Sequence, residues 1–352
     1  MADYRSKITD KAIADTEKQL RAIYTKAGKE LRKKLEEYTE RFQRLDAEKR
    51  AALEAGEITK AAYDQWKRGQ VFIGKQWQKK VEQAAEILHH ANEEAALLVG
   101  ANRMNVFAEN YNFTAFMIEK QGRGAVSFNL FNDRSAARLI REKPKMLPEW
   151  KIDQPKDYKW NRKKVENTIT QGIIQGKSIR EMTGDLVENL CTTNDKRMNL
   201  FARTAMTGAQ NAGKQTLMED AEEEGIELVK KWVATLDSRT RDLHQELDGQ
   251  EVPVDQPFTV DLNGQHYEID YPGDPNADPE MCYNCRCTMV EVFKGVSRKA
   301  ARRAYYDEDE QRERDIDRAK REGKQKVTTH RESYMVQDMT YKEWKKWKEG
   351  RK

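Results

Sequence analysis

The chain has 352 residues, of which 35% are charged and 38% hydrophobic, and that hydrophobic fraction is low for a single compact globule. Its 64 basic residues nearly balance 60 acidic ones, so the net charge of +4 is too small to indicate nucleic-acid binding. No apolar run approaches the roughly 18 residues that cross a bilayer, and the polar N-terminus lacks the apolar core of a signal peptide. We therefore expect no membrane partner and a reducing cytoplasm as the place of synthesis.

Residues 1–125 are predicted to form a helical arm or hairpin. Apolar residues recur every three or four positions in two segments, as in helices that present one apolar face. They are Leu20, Tyr24, Ala27, Leu31, Leu35, Tyr38, Phe42 and Leu45, then Ile73, Trp77, Val81, Ala84, Leu88, Ala91, Ala95 and Leu98. Gly56 is expected to end the first helix and Thr59 to cap the next. The narrow first stripe resembles a coiled-coil seam, which indicates either a docking arm with an exposed seam or a solvated hairpin that supports the next domain.

The helical pattern weakens after Gly100, where asparagines and aromatic residues predict irregular packing against the arm. Residues 126–156 are predicted to be a linker with a short strand, because apolar residues alternate from Val126 to Leu130. Prolines then interrupt the chain at Pro144, Pro148 and Pro155.

Residues 157–295 are predicted to form a second, helix-rich α+β domain. Helices are expected at 160–174, 178–190 and 195–225, and strands at 228–236 and 288–293. Ser178 with Glu181 forms a capping box for the second of these helices. Asp237 is expected to cap the next turn, which would place Arg239, Arg241 and His244 on a short helix.

A β-hairpin is predicted around Asn263-Gly264, the strongest short hairpin signal in a sequence. A two-residue turn there pairs Phe258 with Ile269 and Val260 with Tyr267, so that one face is apolar on both strands. The predicted fold class is therefore mainly α with a smaller α+β domain: long N-terminal helices, then a helix-rich domain with a short antiparallel hairpin and a Cys-rich turn. Residues 296–352 are predicted to be a charged C-terminal tail.

Three of the four cysteines, Cys282, Cys285 and Cys287, lie within six residues. A Cys-x-x-Cys-x-Cys spacing lets thiolates converge on one ion, and zinc suits thiolate and imidazole ligands. We predict one structural zinc with His244 as the fourth ligand, and Asp237 or His266 as substitutes for it. The alternative is three reduced cysteines packed as small apolar residues.

The segment from Asp237 to His244 also has the residue types of a catalytic set, since histidine is a ready acid or base and arginines hold phosphate. No serine or cysteine nucleophile with an adjacent base is evident, however, and the chain has no phosphate-binding loop. The favoured interpretation is a capped helix whose arginines pair with the aspartates around it.

The segment from Ile173 to Phe293 resembles the phage minor head protein family, the head morphogenesis proteins similar to the F protein of phage Mu. The matching residues are Arg203, Thr204, Trp232, Asp237, Arg239, Arg241, His244, Leu247, Asp248, Gly249, Phe258, Pro272, Gly273, Asp274, Pro275, Asn284, Cys285, Arg286 and Cys287. Two positions depart from the family pattern. Ala205 replaces the usual acidic residue, which weakens a catalytic interpretation, and Cys282 replaces a common histidine, which keeps the capacity to bind metal.

The resemblance implies a non-enzymatic component of the virion head, present in the host cytoplasm during assembly. It implies association with the portal protein and with capsid or scaffold proteins, a role in head assembly and in genome packaging or ejection, and weak non-specific contact with phage DNA. Two alternatives remain at this point: a zinc-supported nuclease or toxin-like enzyme that uses His244 and its neighbouring arginines, and a helical DNA-binding protein.

Overall fold

A computed structural model describes residues 4–69, 75–121, 128, 155–175, 179–294, 302–305, 315–316, 319, 321, 334–337, 339–340, 342–343 and 346. The helices in these ranges are α1 (Tyr4–Glu54), α2 (Lys60–Arg68), α3 (Lys75–Gln121), α4 (Pro155–Ile174), α5 (Ile179–Leu186), α6 (Thr193–Glu223), α7 (Asp242–Leu247) and α8 (Pro279–Cys282), with a π-helical segment at Val187–Thr192. The strands are β1 (Leu228–Val233), β2 (Glu251–Pro253), β3 (Phe258–Leu262), β4 (Gln265–Ile269), β5 (Thr288–Phe293), β6 (Arg302–Tyr305) and β7 (Tyr334–Gln337). None of the described helices is both long and apolar enough to span a membrane.

The predicted fold class is confirmed, because long helices dominate and the strands form small antiparallel sheets. The chain divides into two compact units. One comprises Met1–Ile13, Ala101–Met146 and Arg203–Lys352, and the other comprises Ala14–Gly100 and Leu147–Ala202. Both units are discontinuous in sequence, so they do not map one to one onto the predicted segments, whose boundaries stay predictions.

The second of these units contains most of α1 and part of α3. The apolar stripe of α1 is buried from Leu20 to Leu31, and the facing stripe of α3 is buried from Val81 to Val99. The Tyr24 hydroxyl donates to Asn92 Oδ1 at 2.8 Å, which links the two helices. The expectation of an exposed seam is therefore wrong for this part of α1, because its apolar side chains are covered by the chain's own helices.

The turn between α1 and α2 follows the sequence prediction. Gly56 has a φ of 75°, a left-handed conformation that glycine adopts without steric cost. Thr59 is the N-cap of α2, and its hydroxyl accepts from the Ala62 amide at 3.2 Å.

The prediction of irregular packing after Gly100 is wrong, because α3 continues to Gln121. Its buried face mixes apolar and polar side chains, which hides the helical period in the sequence. Asn110 and Thr114 are both buried and bond to the helix itself: Asn110 Nδ2 donates to Val106 O at 2.8 Å, and Thr114 Oγ1 donates to Asn110 O at 2.8 Å. These bonds give partners to the Asn110 amide nitrogen and the Thr114 hydroxyl on a face that is buried in the core.

The other unit contains a three-stranded sheet next to the Cys-rich segment, by which we mean residues 272–289. Strand β1 is its centre, with β2 and β5 antiparallel on either side. Trp232 on β1 is fully buried and packs edge-on against Phe258, with ring centroids 5.2 Å apart. Strand β1 ends at Val233 rather than at the predicted Leu236, because the next amide, Ala234 N, donates to the Asp248 carboxylate at 2.7 Å.

The hairpin prediction is confirmed in its register. Phe258 pairs with Ile269 and Val260 with Tyr267, and all four side chains are buried. The predicted strand around 126–130 and the Ser178 cap lie outside the described residues, apart from Phe128, which is not in a strand.

Candidate functional site

The Cys-rich segment lies against helix α6 through a close backbone contact. Gly273, with a φ of 82°, turns the chain beside Gly208 of α6. A Cβ atom on Gly208 would stand 2.6 Å from the Gly273 carbonyl oxygen, so a larger residue there requires the backbone to shift. Glycine at both positions brings the two backbones together.

Buried polar side chains of α6 hold this segment in place. Thr207 Oγ1 donates to Cys285 O at 3.0 Å. Asn211 Nδ2 donates to Pro272 O at 2.9 Å and to Cys287 O at 3.3 Å, while its Oδ1 accepts from Met289 N at 3.2 Å. Four contacts from two residues thus fix the backbone on both sides of the cysteines. Thr207 and Asn211 are not among the residues predicted from the sequence, where their only signal is their helical spacing with the motif residue Thr204.

The motif residues of α6 differ in their environment. Thr204 is buried, and its hydroxyl accepts from the Asn284 amide at 3.0 Å. Asn284 has a φ of 51°, which reverses the chain between Cys282 and Cys285. Arg203 is exposed at the surface of the same helix. Thr204 therefore supports the Cys-rich turn.

Asp237 is the acceptor for several donors around the turn after β1. Its side chain is fully buried and receives both Nη1 and Nη2 of Arg286, the latter at 2.8 Å. The Arg239 amide donates to Oδ1 at 3.0 Å. Burial alone would raise the pKa of this carboxyl, but the hydrogen bonds and charge of Arg286, with those of Arg239, lower the pKa below its ordinary value.

The placement of all three motif residues on one helix is wrong in part. Helix α7 begins at Asp242, so Arg239 precedes it and Arg241 occupies its N-cap position without a side-chain cap bond. Asp237 caps the turn before the helix instead. Arg241 reaches across to the Cys-rich segment, where it donates to Glu280 O at 3.0 Å and to Tyr283 O.

Two further motif residues close the turn after α7. Asp248 accepts from Ala234 N, as described above, and is buried. Gly249 has a φ of 85°, a left-handed conformation that glycine adopts without steric cost. Its amide donates to Trp232 O at 3.0 Å, so this turn is tied to the centre of the sheet.

His244 on α7 points into the interior, with its side chain against Trp232 at a ring-centroid distance of 5.6 Å. Its Nε2 lies 2.9 Å from Met281 O, and because a carbonyl only accepts, Nε2 carries the proton. The other nitrogen, Nδ1, faces the thiols of Cys287 at 3.4 Å and Cys285 at 3.8 Å.

The structure brings together three of the four predicted metal ligands. Atoms of His244, Cys285 and Cys287 that can ligate a metal lie within 4.8 Å of one another, and all three residues are buried. Hydrogen bonds from Cys287 lower the pKa of the Cys285 thiol despite its burial, whereas burial raises the pKa of the Cys287 thiol well above its ordinary range.

The remaining ligand candidates do not belong to that group of three. Cys282 donates from its thiol to Asp278 O at 3.1 Å, and burial raises its pKa to about 12. Asp237 is held by Arg286. His266 is exposed on the hairpin, where Nδ1 lies 2.6 Å from Asp261 Oδ1. The choice of metal and its full ligand set stay predictions.

Comparison with known proteins identifies the domain that contains this cluster. Residues 163–290 match the family described as Phage Mu protein F like protein. The chain is 28% identical over 196 residues to Minor head protein GP7 of Bacillus phage SPP1, a match that covers 54% of this chain and 59% of that protein. No solved structure matches the chain.

Two further relatives match over shorter stretches. The chain is 37% identical over 139 residues to NAD(+)--arginine ADP-ribosyltransferase EFV of Enterococcus faecalis (strain ATCC 700802 / V583), covering 38% of this chain and 26% of the transferase. An uncharacterized protein of Haemophilus influenzae (strain ATCC 51907 / DSM 11121 / KW20 / Rd) is 27% identical over 131 residues. This match covers 37% of this chain and 25% of that protein. The chain thus spans between a quarter and three-fifths of the curated relatives it matches. Residues 163–290 therefore contain a domain that resembles the Phage Mu protein F like family, and the chain is similar to a phage minor head protein.

Proposed function

We propose that this chain is a structural minor head protein that associates with the portal in the assembling virion head. The match of residues 163–290 to the Phage Mu protein F like family carries the proposal, and the name of the SPP1 relative supports it. The partners we propose are the portal oligomer and the capsid or scaffold proteins. The protein would be in the host cytoplasm during assembly and in the virion head afterwards, with a part in assembly and in packaging or ejection of the genome.

The contacts of the motif residues support a structural role over a catalytic one. Asp237 holds Arg286, Arg241 binds two carbonyl groups, and His244 is 2% exposed with Nε2 bound to Met281 O. A catalytic acid or base must reach the substrate directly or through one water. These side chains instead make internal contacts, which is the pattern expected of residues that maintain a fold.

The ADP-ribosyltransferase relative suggests an enzymatic alternative. Its match covers 26% of that protein, so its printed activity does not transfer to this chain by similarity alone. Full-length protein incubated with NAD⁺ and an arginine-rich acceptor should consume no NAD⁺, and supercoiled plasmid with divalent metal should stay intact. NAD⁺ consumption, or DNA cleavage that depends on His244, would replace the structural proposal with the enzyme.

Among the described residues, exposed basic side chains on α1 offer a candidate surface for the proposed weak DNA contact. Four exposed cations lie within twelve residues of α1, Lys18, Arg21, Lys26 and Lys29. If all four contact phosphates of a duplex, the logarithm of the binding constant should fall against the logarithm of salt concentration with a slope near −3.6, that is, about −0.9 for each contact. Replacing all four by glutamine should remove that slope. An unchanged slope in the glutamine variant would exclude these four cations as the contact surface.

The direct test of the proposal is binding of the full chain to purified portal oligomer. We expect saturable co-sedimentation with the portal, unaffected by NAD⁺. Absence of the chain from the portal pellet across micromolar concentrations would contradict the proposed partner.

A further inference from the structure

The cluster of His244, Cys285 and Cys287 has the chemistry of a metal site. Imidazole nitrogen and cysteine sulfur are the ligand types that zinc prefers. The three residues are 2–3% exposed, so the ligand atoms are shielded from solvent. They come from two parts of the sequence about forty residues apart, which Asn211 and Thr207 bring together by holding the Cys-rich backbone.

We propose that His244, Cys285 and Cys287 bind one structural zinc ion, with Cys282 as the fourth ligand. This inference does not depend on the proposed function. The site would join α7 to the Cys-rich turn. In this structure Arg241 and His244 also contact backbone carbonyl groups of that turn.

The distances within the cluster fit tetrahedral zinc. With Zn–S near 2.3 Å and Zn–N near 2.0–2.1 Å, a tetrahedral site separates a nitrogen and a sulfur ligand by about 3.6 Å. The distances from His244 Nδ1 to the two sulfurs, 3.4 and 3.8 Å, lie on either side of that value. Both nitrogen–sulfur distances therefore suit one tetrahedral ion, and the two sulfurs lie within 4.8 Å of each other.

The second nitrogen of His244 supports the same assignment. Metal-bound histidines commonly donate their other ring N–H to a carbonyl or carboxylate, which fixes the tautomer and the ring orientation. Here Nε2 donates to Met281 O at 2.9 Å. This bond leaves Nδ1 unprotonated in neutral histidine, with its lone pair directed at the two thiols.

Cys282 completes the proposed ligand set. It is fully buried at the start of the turn that carries Cys285, and Cys285 N donates to Cys282 O at 3.3 Å. In this structure its thiol donates to Asp278 O, so binding zinc requires the thiol to release that carbonyl and lose its proton. Four protein ligands leave no open position for a substrate, which is why we assign a structural role.

The first measurement uses the wild-type full chain, purified without chelator. Elemental analysis should give about one zinc per chain, and exchange into Co²⁺ should produce thiolate-to-metal charge-transfer absorbance. Well under one zinc, with no charge-transfer band after Co²⁺ addition to the reduced protein, would overturn the proposal. A Cys285–Cys287 disulfide in protein purified with reductant would overturn it as well. All of these measurements use the wild-type chain, so they do not require any variant to fold.

Variants then test the ligands one by one. Cys285→Ser and His244→Gln should lower the zinc content to near zero. Cys191→Ser is the matched control, because Cys191 is buried in the other unit, and it should retain the full content. Cys282→Ser should reduce the charge-transfer absorbance by about a third, from three thiolates to two. Unchanged absorbance would show that Cys282 is not a ligand. An equal loss of zinc in Cys191→Ser would contradict the whole proposed site.

Discussion

Arg286 binds the carboxylate of Asp237 with both terminal nitrogens, and the Asp237 side chain is completely buried beneath it. The pair joins the turn after β1 to the middle of the Cys-x-Cys element, 49 residues further along the chain. Bidentate arginine–carboxylate pairs of this kind fix the relative orientation of the two side chains and also contribute energy. This contact therefore determines how the two halves of the family motif face each other.

Asp237→Asn should destabilise the domain, since it keeps an acceptor for the Arg239 amide but removes the charge facing Arg286. We expect a loss of about 2–3 kcal/mol, less than for a fully buried pair, because the Arg286 side chain is 25% exposed. Chemical denaturation of the two proteins measures the difference. The exposed Asp255→Asn should change the free energy of unfolding by less than about 0.5 kcal/mol, and an equal loss in both variants would contradict a specific role for the pair.

The same carboxylate predicts a pH dependence of stability. Because the folded-state pKa of Asp237 lies below its ordinary value of 3.8, its ionised form stabilises the fold above that pH. The contribution is lost as the pH falls from about 4 through the lower folded-state pKa. Unfolding measured from pH 7 to pH 3 should show this acid loss in wild type and a smaller one in Asp237→Asn. Parallel curves for the two proteins would contradict the assignment.

Gly208→Ala should destabilise the contact between α6 and the Cys-rich segment, because its Cβ would stand 2.6 Å from Gly273 O. We expect a loss of about 1–3 kcal/mol, as for overpacked cores. Gly100→Ala is the control within α3, where a Cβ would meet nothing within 4 Å, and it should stabilise the protein by up to about 1 kcal/mol. Thermal unfolding of both variants tests the sign of each effect, and stabilisation by Gly208→Ala would exclude the close contact.

Asn284→Ala should cost about 1 kcal/mol, because the residue has a φ of 51° and alanine in the left-handed region is strained. Asn284→Gly removes the same side chain without that strain and should be the milder change. The comparison of their unfolding midpoints separates backbone conformation from side-chain contact. If Asn284→Gly were the more destabilising substitution, contacts of the amide side chain rather than the φ angle would account for the stabilising effect of asparagine at this position.

Features that depend on neighbouring residues could be predicted from the sequence. The register of the hairpin follows from Asn263-Gly264 and the apolar alternation on either side, and the α1–α2 turn follows from Gly56 and Thr59. Such signals are local, so no knowledge of the rest of the chain is needed. The cysteine spacing likewise singled out Cys285 and Cys287, which the structure brings to His244.

Features that depend on distant residues could not be predicted from the sequence. Thr207 and Asn211 look like part of a solvated helix face, yet both are buried because the carbonyl groups they bind come from residues about sixty to eighty positions away. The buried polar face of α3 hid its helical period in the same way. The pairing of Asp237 with Arg286 needed the fold, since nothing near either residue specifies the other.

The composition of assembled heads tests the central claim most directly. Proheads can be assembled in cells that produce the full chain with its cognate portal and capsid proteins, and the copies per particle counted by quantitative mass spectrometry. We expect a few copies per head, and loss of the chain from particles assembled without portal. Heads that lack the chain while portal is present, or that incorporate it equally without portal, would contradict a portal-associated minor head protein.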